Sequence, residues 1–302
     1  MAIADVSGSS IAELVSLAGK GAVVTGGATG LGKATARRLA EAGAAVLIGD
    51  IDIELARATA AELATKCGGT VLATRLDVAD SASVVATAEL ALSSFGSLDI
   101  WVNNAALYPS VPLLETTDAI WDEVMAVNLR GLFVGAREAA RRMIAAGNGG
   151  VIINVSSQAG FRGVAPGLAA YAASKHGVRG ATRQLAIELA PHGIRVLGVA
   201  PSHARTEKTE VAIRAMPELL DEIPALSSSR LGRVGVPDDV GRVVLFLASD
   251  LALFMTGSTL KVDAGEMASA LSGRTGRGWS APAAGAASSG NKPSPRTARS
   301  AR

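Results

Sequence analysis

Seven short apolar runs, each followed by a longer stretch of helical character, constrain the fold of this chain more than any other feature. The runs are apolar almost throughout, which is typical of parallel strands whose two sheet faces are both covered by helices. We therefore predict a three-layer, doubly wound α/β fold around a seven-stranded parallel sheet, with ligands binding beyond the carboxyl ends of the strands. The predicted strands are Ala22–Thr25, Ala45–Ile48, Val71–Leu76, Ile100–Asn103, Val151–Val155, Arg195–Ala200 and Thr259–Val262.

Composition excludes several classes of protein. Of the 302 residues, 49% are hydrophobic and 19% are charged, which is ordinary for a globular chain. No apolar run reaches the roughly 18 residues of a membrane span. Asp5 and Glu13 stand where a signal peptide carries positive charge, so we expect a cytoplasmic protein with no membrane partner. Cys67 is the single cysteine, so an intramolecular disulfide and a cysteine-cluster metal site are excluded, and we predict no bound metal.

The positive charge of the chain lies at one end. Residues 268–302 contain six Arg and Lys and no Asp or Glu. Without these six positive charges, the net charge of +2 becomes −4. The main part of the chain therefore gives no reason to expect nucleic-acid binding. We predict an N-terminal extension at 1–16, a single domain at 17–267 and a disordered, Ala/Ser/Gly/Pro-rich tail at 268–302. The tail is either a solvated appendage or a contact for an acidic partner.

A glycine-rich segment links the first predicted strand to a helical run from Lys33 to Ala42. Glycines let the backbone approach a pyrophosphate closely, and a helix start adds N–H donors and the positive end of its dipole. Between a strand and a helix, this pattern indicates a Rossmann-type dinucleotide site. The predicted cofactor contacts in this segment are Gly26, Thr29, Gly30, Leu31 and Gly32.

Two carboxylates follow later strands. Asp50, followed by Ile51, can accept hydrogen bonds from the adenosine ribose hydroxyls, which favours NAD over NADP because a 2′-phosphate would meet a like charge. The alternative is that Asp50 caps the helix that begins near Ile53. Asp77, followed by Val78, contacts the adenine amino group or caps the next helix, and the sequence favours neither.

Tyr171 and Lys175 are four residues apart on a predicted helix, so their side chains share one face. Free tyrosine, with a pKa of about 10, is a poor acid or base at neutral pH. A neighbouring ammonium favours the phenolate and lowers that pKa. Tyr171 is therefore a candidate for exchanging a proton with an alcohol or carbonyl oxygen.

With these motifs in register, the chain resembles the short-chain dehydrogenase/reductase family over roughly residues 17–267. The resemblance rests on Thr25–Gly32, Asp77-Val78, Asn103-Asn104-Ala105, Asn128, Ser157, Tyr171 with Lys175, Pro201 with Thr206, and Val262-Asp263. The departures are Ala106 where a glycine is common, Ser202 after Pro201, and Leu197 where an asparagine is usual. None of these departures removes a proton-transfer group.

The resemblance implies a role for each matching residue. Tyr171 is the implied acid/base and Lys175 its activator and a ligand of the nicotinamide ribose. Ser157, three residues before Gly160, is the implied donor to the substrate oxygen, with Ser156 as the rival serine. Asn128 would hold a water that links Lys175 to solvent. On the cofactor side, the resemblance implies contacts from Asn104, Ala105, Pro201 and Thr206, with Thr206 on the nicotinamide carboxamide.

Two histidines lie near these motifs. His176 points about 100° away from Lys175 on the same helix, which favours packing over catalysis. His203 begins a variable lid at about 202–229, and the sequence leaves open whether it touches substrate.

Three segments beyond the strands should line the substrate pocket, at 106–113, 158–168 and 202–229. Their larger side chains are mostly apolar, namely Leu107, Tyr108, Val111, Phe161, Val164, Met216 and Leu220. We therefore expect an NAD-dependent oxidoreductase for a neutral, moderately hydrophobic secondary alcohol or its ketone. The alternatives are a 3-oxoacyl thioester reductase and a non-catalytic NAD-binding scaffold. Surplus apolar residues at 240–253 and 171–190 predict a homotetramer, with a dimer as the next possibility.

Overall fold

The structure is a computed structural model that describes residues 3–207, residue 210 and residues 229–268. Seven parallel strands form one sheet in the order β3-β2-β1-β4-β5-β6-β7. The strands are β1 (Gly21–Thr25), β2 (Ala45–Asp50), β3 (Val71–Arg75), β4 (Ile100–Asn103), β5 (Gly150–Val155), β6 (Ile194–Pro201) and β7 (Thr259–Val262). All seven predicted strands and the doubly wound Rossmann fold are confirmed. The chain changes direction across the sheet between β1 and β4, which is where such folds bind ligands.

Eight α-helices flank the sheet within the described residues. They are α1 (Ile11–Val15), α2 (Gly30–Glu41), α3 (Ile53–Cys67), α4 (Ser81–Phe95), α5 (Asp118–Met125), α6 (Leu132–Ala146), α7 (Ala169–Leu189) and α8 (Pro237–Ala248). A π-helical turn, Ala126–Gly131, joins α5 to α6. Short 3₁₀ turns occur at Leu113–Glu115, Gln158–Gly160, Ala190–His192, Asp250–Ala252 and Glu266–Ala268.

Local signals explain several helix ends. Asp52 and Asp80 accept the hydrogen bonds that cap α3 and α4, at 3.0 Å from the Leu55 amide and 2.9 Å from the Ala82 amide. Three helices end on glycines in the left-handed conformation, Gly68, Gly96 and Gly147. The predicted helical run from Lys33 starts three residues early in the structure, because α2 begins at Gly30 within the glycine-rich segment itself.

Each sheet face has its own core. Helices α2, α3 and α8 contribute buried Leu39, Leu63 and Leu247 to one core. Helices α4 and α6 contribute side chains such as Val84 and Met143 to the other. Both cores are made of residues with almost no exposed surface, so the sheet is a rigid support whose carboxyl edge carries the loops.

Ion pairs reinforce both helical layers. Arg38 binds Asp238 through two nitrogens, at 2.7 and 2.6 Å, and so holds α8 on α2. On the other face, the Glu138 carboxylate is buried and is bound by Arg137, Arg141 and Arg142. Burial raises the pKa of Glu138, but the hydrogen bonds from Arg142 and Arg137 outweigh it, so the pKa is lower than usual.

Some predictions fall outside the described residues. These are the basic tail beyond Ala268 and most of the lid, including Met216 and Leu220. The division of the chain into extension, domain and tail stays a prediction. None of the helices in the described part of the chain combines the length and the apolar composition that crossing a membrane requires. In that same part, no three His, Cys, Asp or Glu side chains gather as metal ligands.

Candidate active site

The glycine-rich segment forms a tight turn between β1 and α2, closed by Gly32. A Cβ on Gly32 would lie 2.1 Å from the Gly26 carbonyl oxygen and 2.7 Å from Nδ2 of Asn104. Gly26 and Gly30 have φ of +61° and +53°, a region that favours glycine. The backbone is thus compact at the point where α2 begins, which suits a pyrophosphate held by backbone N–H groups. The predicted contacts Thr29 and Leu31 lie in this turn and in the first turn of α2.

The end of β4 braces this turn. The Asn104 side chain donates to the carbonyls of Thr25 and Gly26, both at 2.9 Å. The Thr25 hydroxyl accepts from the amides of Asn104 and Ala105 in return. The side-chain amide of Asn104 is therefore committed to the glycine turn, and its role toward a cofactor is to shape that turn.

The start of the lid also reaches the turn. The amide of Gly30 donates to the Glu207 carboxylate at 3.1 Å, and a Cβ on Gly30 would lie 3.3 Å from the Thr206 methyl carbon. Thr206 was predicted at the nicotinamide carboxamide, and here its methyl group lies against the pyrophosphate end of the site. Glu207 was not predicted at all, because its contact with Gly30 depends on a fold that brings residues 177 positions apart together.

Asp50 lies at the carboxyl end of β2, beside the glycine turn. One carboxylate oxygen accepts from the Ala28 amide at 3.0 Å and the other accepts from the Asp52 amide at 3.2 Å. Asp52, two residues later, caps α3, so the capping alternative for Asp50 is wrong. The neighbouring Ile51 is 62% exposed. This position is compatible with ribose recognition.

Asp77 likewise does not cap the helix after it. Asp80 caps α4, whereas the Asp77 carboxylate accepts from the amide of Ala79 at 2.9 Å. The capping alternative for Asp77 is therefore wrong as well. Val78 is buried and lines a small cavity behind the site.

Ser157 and Tyr171 meet at the carboxyl edge of the sheet. Ser157 follows β5, and its hydroxyl accepts from the Ala159 amide at 3.1 Å at the start of a 3₁₀ turn. The phenol of Tyr171 lies beside this hydroxyl, which opposes the rise of the phenol's pKa. The rival Ser156 is buried and donates to the Lys175 carbonyl at 3.1 Å, so it supports α7 rather than the site.

The pKa of Tyr171 differs from the expectation. Burial raises the pKa of Tyr171, Ser157 lowers it, and Tyr108 raises it slightly further. The net shift of the pKa is upward. Lys175 does not lower the pKa of Tyr171 as expected, because its ammonium binds another group. Its Nζ donates to the Val155 carbonyl at 2.8 Å and lies 5.7 Å from the centroid of the Tyr171 ring.

Lys175 is itself strongly perturbed. Its side chain is almost wholly buried, and desolvation lowers its pKa from 10.5 to about 8. The ammonium therefore exchanges its proton close to neutral pH. A buried titratable group of this kind, beside a serine and a tyrosine, is typical of catalytic sites.

The side chain of Asn128 is bound to protein groups on two sides. It lies in the π-helical turn, where its amide oxygen accepts from the Leu107 amide at 2.7 Å. Its amide nitrogen donates to the Leu107 carbonyl at 2.8 Å and to the Ser174 hydroxyl at 3.1 Å. Both amide hydrogens are thus used to hold the β4 loop against α7.

A cavity of about 10 Å³ lies between Asn128 and Lys175, and it is lined further by Thr25, Val78 and Val155. This volume is at the lower limit of what one water molecule needs. The cavity is the place where the predicted water would lie, although the Asn128 side chain is already committed to protein partners.

The remaining predicted residues are distributed around the site. Pro201 is buried at the end of β6. Tyr108 is 61% exposed and meets Tyr171 edge to face at 6.0 Å between ring centroids. Phe161 does not form an open apolar wall, because the Arg179 guanidinium lies 3.4 Å from its ring centroid and Lys261 lies 5.0 Å away.

One of the two histidines differs from expectation. His176 is exposed rather than packed, and its Nδ1 lies 2.9 Å from the carbonyl of Ala172 one turn earlier. His203 stands at the start of the lid, with its Nδ1 3.3 Å from Nε2 of Gln158, the residue after Ser157.

Comparisons with known proteins agree with this arrangement. The model of a family described as enoyl-(acyl carrier protein) reductase matches residues 26–266. A cis-4-hydroxycyclohexanecarboxylate dehydrogenase from Sinomonas cyclohexanicum is 42% identical over 247 residues, which are 81% of this chain and 95% of the relative. A 2-dehydro-3-deoxy-D-gluconate 5-dehydrogenase from Escherichia coli is 39% identical over 258 residues, which are 84% and 97% of the two chains.

A solved structure is similar over the same range. It is described as a proposed NAD(P)-dependent gluconate 5-dehydrogenase from Beutenbergia cavernae with NADP bound at low occupancy. The TM-score is 0.76 at 40% identity, and the match covers 85% of this chain and 100% of the other.

The chain belongs to the short-chain dehydrogenase/reductase family, whose members use nicotinamide cofactors. Because its relatives are named dehydrogenases, it is an oxidoreductase that acts on CH–OH groups.

Proposed function

We propose that this protein is an NAD-dependent dehydrogenase, or ketoreductase, for a neutral, moderately hydrophobic secondary alcohol or its ketone, with Tyr171 as the acid/base. The observation that carries the proposal is the placement of the Tyr171 phenol beside the Ser157 hydroxyl, one helical turn from the buried ammonium of Lys175. These groups lie at the carboxyl edge of the sheet, where the glycine turn also opens.

In ketone reduction, the phenol of Tyr171 gives its proton to the carbonyl oxygen as the carbonyl carbon gains a hydride. The raised pKa of Tyr171 keeps the phenol protonated at neutral pH, which is the state this direction requires. The Ser157 hydroxyl donates to the same oxygen and stabilises the charge that develops there. The nicotinamide, when bound, supplies or accepts the hydride. In alcohol oxidation, the O–H and C–H bonds break, C=O forms, and Tyr171 takes the hydroxyl proton.

Because the Tyr171 pKa is raised, oxidation should accelerate as pH rises, since the phenol must first lose its proton. Lys175, with a pKa of about 8, lies one turn away and can take part in that proton's route to solvent through the small cavity beside Asn128. In this proposal, Asn128 positions the cavity wall by fixing the π-helical turn.

Cofactor preference is proposed from Asp50. Its carboxylate lies beside the glycine turn, where it would accept from ribose hydroxyls and repel a 2′-phosphate. No Arg or Lys follows at 51–53 to offset that charge. The similar structure from Beutenbergia cavernae holds NADP, so the preference of this protein for NAD over NADP is tested directly.

The test compares kcat/KM for NAD and NADP with purified full-length protein. Asp50→Asn keeps an acceptor for the Ala28 amide while it removes the charge, and we expect the NAD preference to fall by about tenfold or more. Asp52→Asn is the matched control, since Asp52 is a nearby carboxylate that caps α3. An NAD preference that survives Asp50→Asn, or that falls equally in both variants, would refute the assignment of Asp50.

A panel of alicyclic and aromatic secondary alcohols with NAD tests the reaction class. Formation of reduced nicotinamide on several of them is expected. Turnover confined to 3-oxoacyl thioesters with NADPH would favour the thioester reductase instead. Tight NAD binding without turnover on any of these compounds would favour the non-catalytic scaffold.

We also infer a homotetramer. Apolar side chains stay exposed on the outer surface, with Ile187 on α7 at 71%, Phe133 on α6 at 48% and Leu251 in the turn after α8 at 39% exposure. Met125 and Leu129 line an apolar groove beside Phe133. Such surfaces are typical of subunit contacts. Light scattering of the full-length protein would distinguish a tetramer from a dimer or monomer.

A further inference from the structure

Four polar side chains form a hydrogen-bonded network along the carboxyl edge beside Ser157. Arg162 donates through one nitrogen, Nη2, to the Glu266 carboxylate at 2.5 Å and to Oε1 of Gln158 at 2.9 Å. Nε2 of Gln158 lies 3.3 Å from Nδ1 of His203. Gln158 is 5% exposed, so the centre of this network is buried in the protein rather than lying on its surface.

This hydrogen-bonded network determines which nitrogen of His203 carries a proton. Arg162 can only donate, so the amide oxygen of Gln158 must face it and the amide NH₂ must face His203. Nδ1 of His203 must then accept, because two donors would otherwise oppose each other. The ring is therefore neutral, with its proton on Nε2. Partial desolvation of the ring lowers the pKa of His203, against a smaller opposing effect of Glu266, and so also favours the neutral form.

The location of His203 makes this donor available to a substrate. Gln158 directly follows Ser157, and His203 follows Pro201 at the carboxyl end of β6, next to β5. The His203 residue as a whole is exposed at the start of the lid. His203 thus lies at the rim of the site in which Ser157 and Tyr171 act, with Nε2–H as its remaining donor.

We propose that His203 is a specificity-determining residue, which donates from Nε2 to a second oxygen on the substrate, remote from the reacting carbon. Gln158, Arg162 and Glu266 are its positioning residues. This inference rests on the proposed function and refines it, because the preferred substrate then carries a second neutral hydrogen-bond acceptor such as a hydroxyl or a ketone. A plain ring alcohol would leave the His203 donor without that partner.

Activity measurements test the inference with a pair of ring alcohols. Cyclohexanol and cis-1,4-cyclohexanediol are both neutral and differ only in the second hydroxyl group, and both are assayed with NAD. The wild type should prefer the oxygenated alcohol in kcat/KM. His203→Phe should reduce that preference by about tenfold, mainly through KM, since a site that loses one hydrogen bond to a substrate loses about that much discrimination. His203→Gln, which retains a donor, should restore part of it.

His176→Phe is the matched control, because His176 is exposed on α7 and its ring bonds the Ala172 carbonyl of the same helix. It should leave the preference at the wild-type value. If the wild type oxidises neither alcohol, the proposed function and this inference fail together. If it oxidises them but shows no preference, or if His203→Phe keeps the preference, this inference alone fails.

A spectroscopic measurement is independent of activity. Long-range proton–nitrogen NMR spectra of the full-length protein report the state of each imidazole nitrogen, and His203→Phe identifies the signals of His203. We expect an unprotonated Nδ1 and a protonated Nε2 at neutral pH, and loss of this fixed state in Gln158→Leu. A charged ring, or a proton on Nδ1, would overturn the inference.

Discussion

Replacing Lys175 by methionine should separate stability from function. Folding moves the lysine pKa from 10.5 to about 8, so burial of its ammonium opposes folding by about 3 kcal/mol at neutral pH. Methionine avoids this cost and fills similar space. It also leaves the Val155 carbonyl without the hydrogen bond from Nζ, which costs about 1–3 kcal/mol. At pH 7, Lys175→Met should therefore be as stable as the wild type or up to about 2 kcal/mol more stable, but inactive.

The pH dependence is the sharper part of this prediction. Between pH 8 and 10.5, the unfolded chain holds a proton on Lys175 that the folded protein releases, so the wild type gains stability as pH rises. Below pH 8, both states hold the proton and the burial cost is fully present. Relative to Lys175→Met, the wild type should gain about 1.4 kcal/mol between pH 7 and pH 9.

Urea unfolding of both proteins at several pH values, followed by circular dichroism, measures this difference. Lys66→Met, on the exposed face of α3, is the control for loss of a lysine charge. A variant that is several kcal/mol less stable than the wild type, or a stability gap that does not change between pH 7 and pH 9, would refute the argument that Lys175 is buried as a costly ammonium.

Three further predictions concern the cofactor site and the helical layer. Glu207→Gln should tighten NAD binding about three- to tenfold in calorimetry, because a carboxylate no longer competes with pyrophosphate for the Gly30 amide, whereas adenosine binding should not change. Gly32→Ala should abolish NAD binding in the same assay, since its Cβ would overlap the Gly26 carbonyl. Glu138→Gln should lower the free energy of unfolding by about 2 kcal/mol at pH 7, because three arginines lose their buried partner. As the pKa of Glu138 is lowered, this loss should shrink as pH falls below 4.5.

The strands could be predicted from sequence because continuous apolar runs leave few alternatives to a buried parallel sheet. Their order also placed Ser157, Tyr171 and the glycine turn at one edge. Helix caps were less predictable, since Asp50 and Asp52 are both suitable caps and only the backbone geometry decides between them.

Contacts between distant segments could not be predicted from local patterns. The Glu207 contact with Gly30 and the Glu266 contact with Arg162 each join residues more than 100 positions apart. The side chain of Asn128 is directed by the π-helical turn and by Leu107, which a residue pattern does not reveal. The direction of the Tyr171 pKa shift depended on burial outweighing charge, which requires the packed structure.

The central claim is that Tyr171 transfers the proton while a hydride moves to or from NAD. Steady-state turnover of the wild type and Tyr171→Phe on the best alcohol of the panel tests it most directly, with NAD affinity measured separately. Phenylalanine keeps the ring beside Tyr108 and removes only the hydroxyl that meets Ser157. We expect kcat to fall by about 10²- to 10⁴-fold with NAD binding retained. Turnover at the wild-type rate, with NAD bound equally well, would contradict the mechanism.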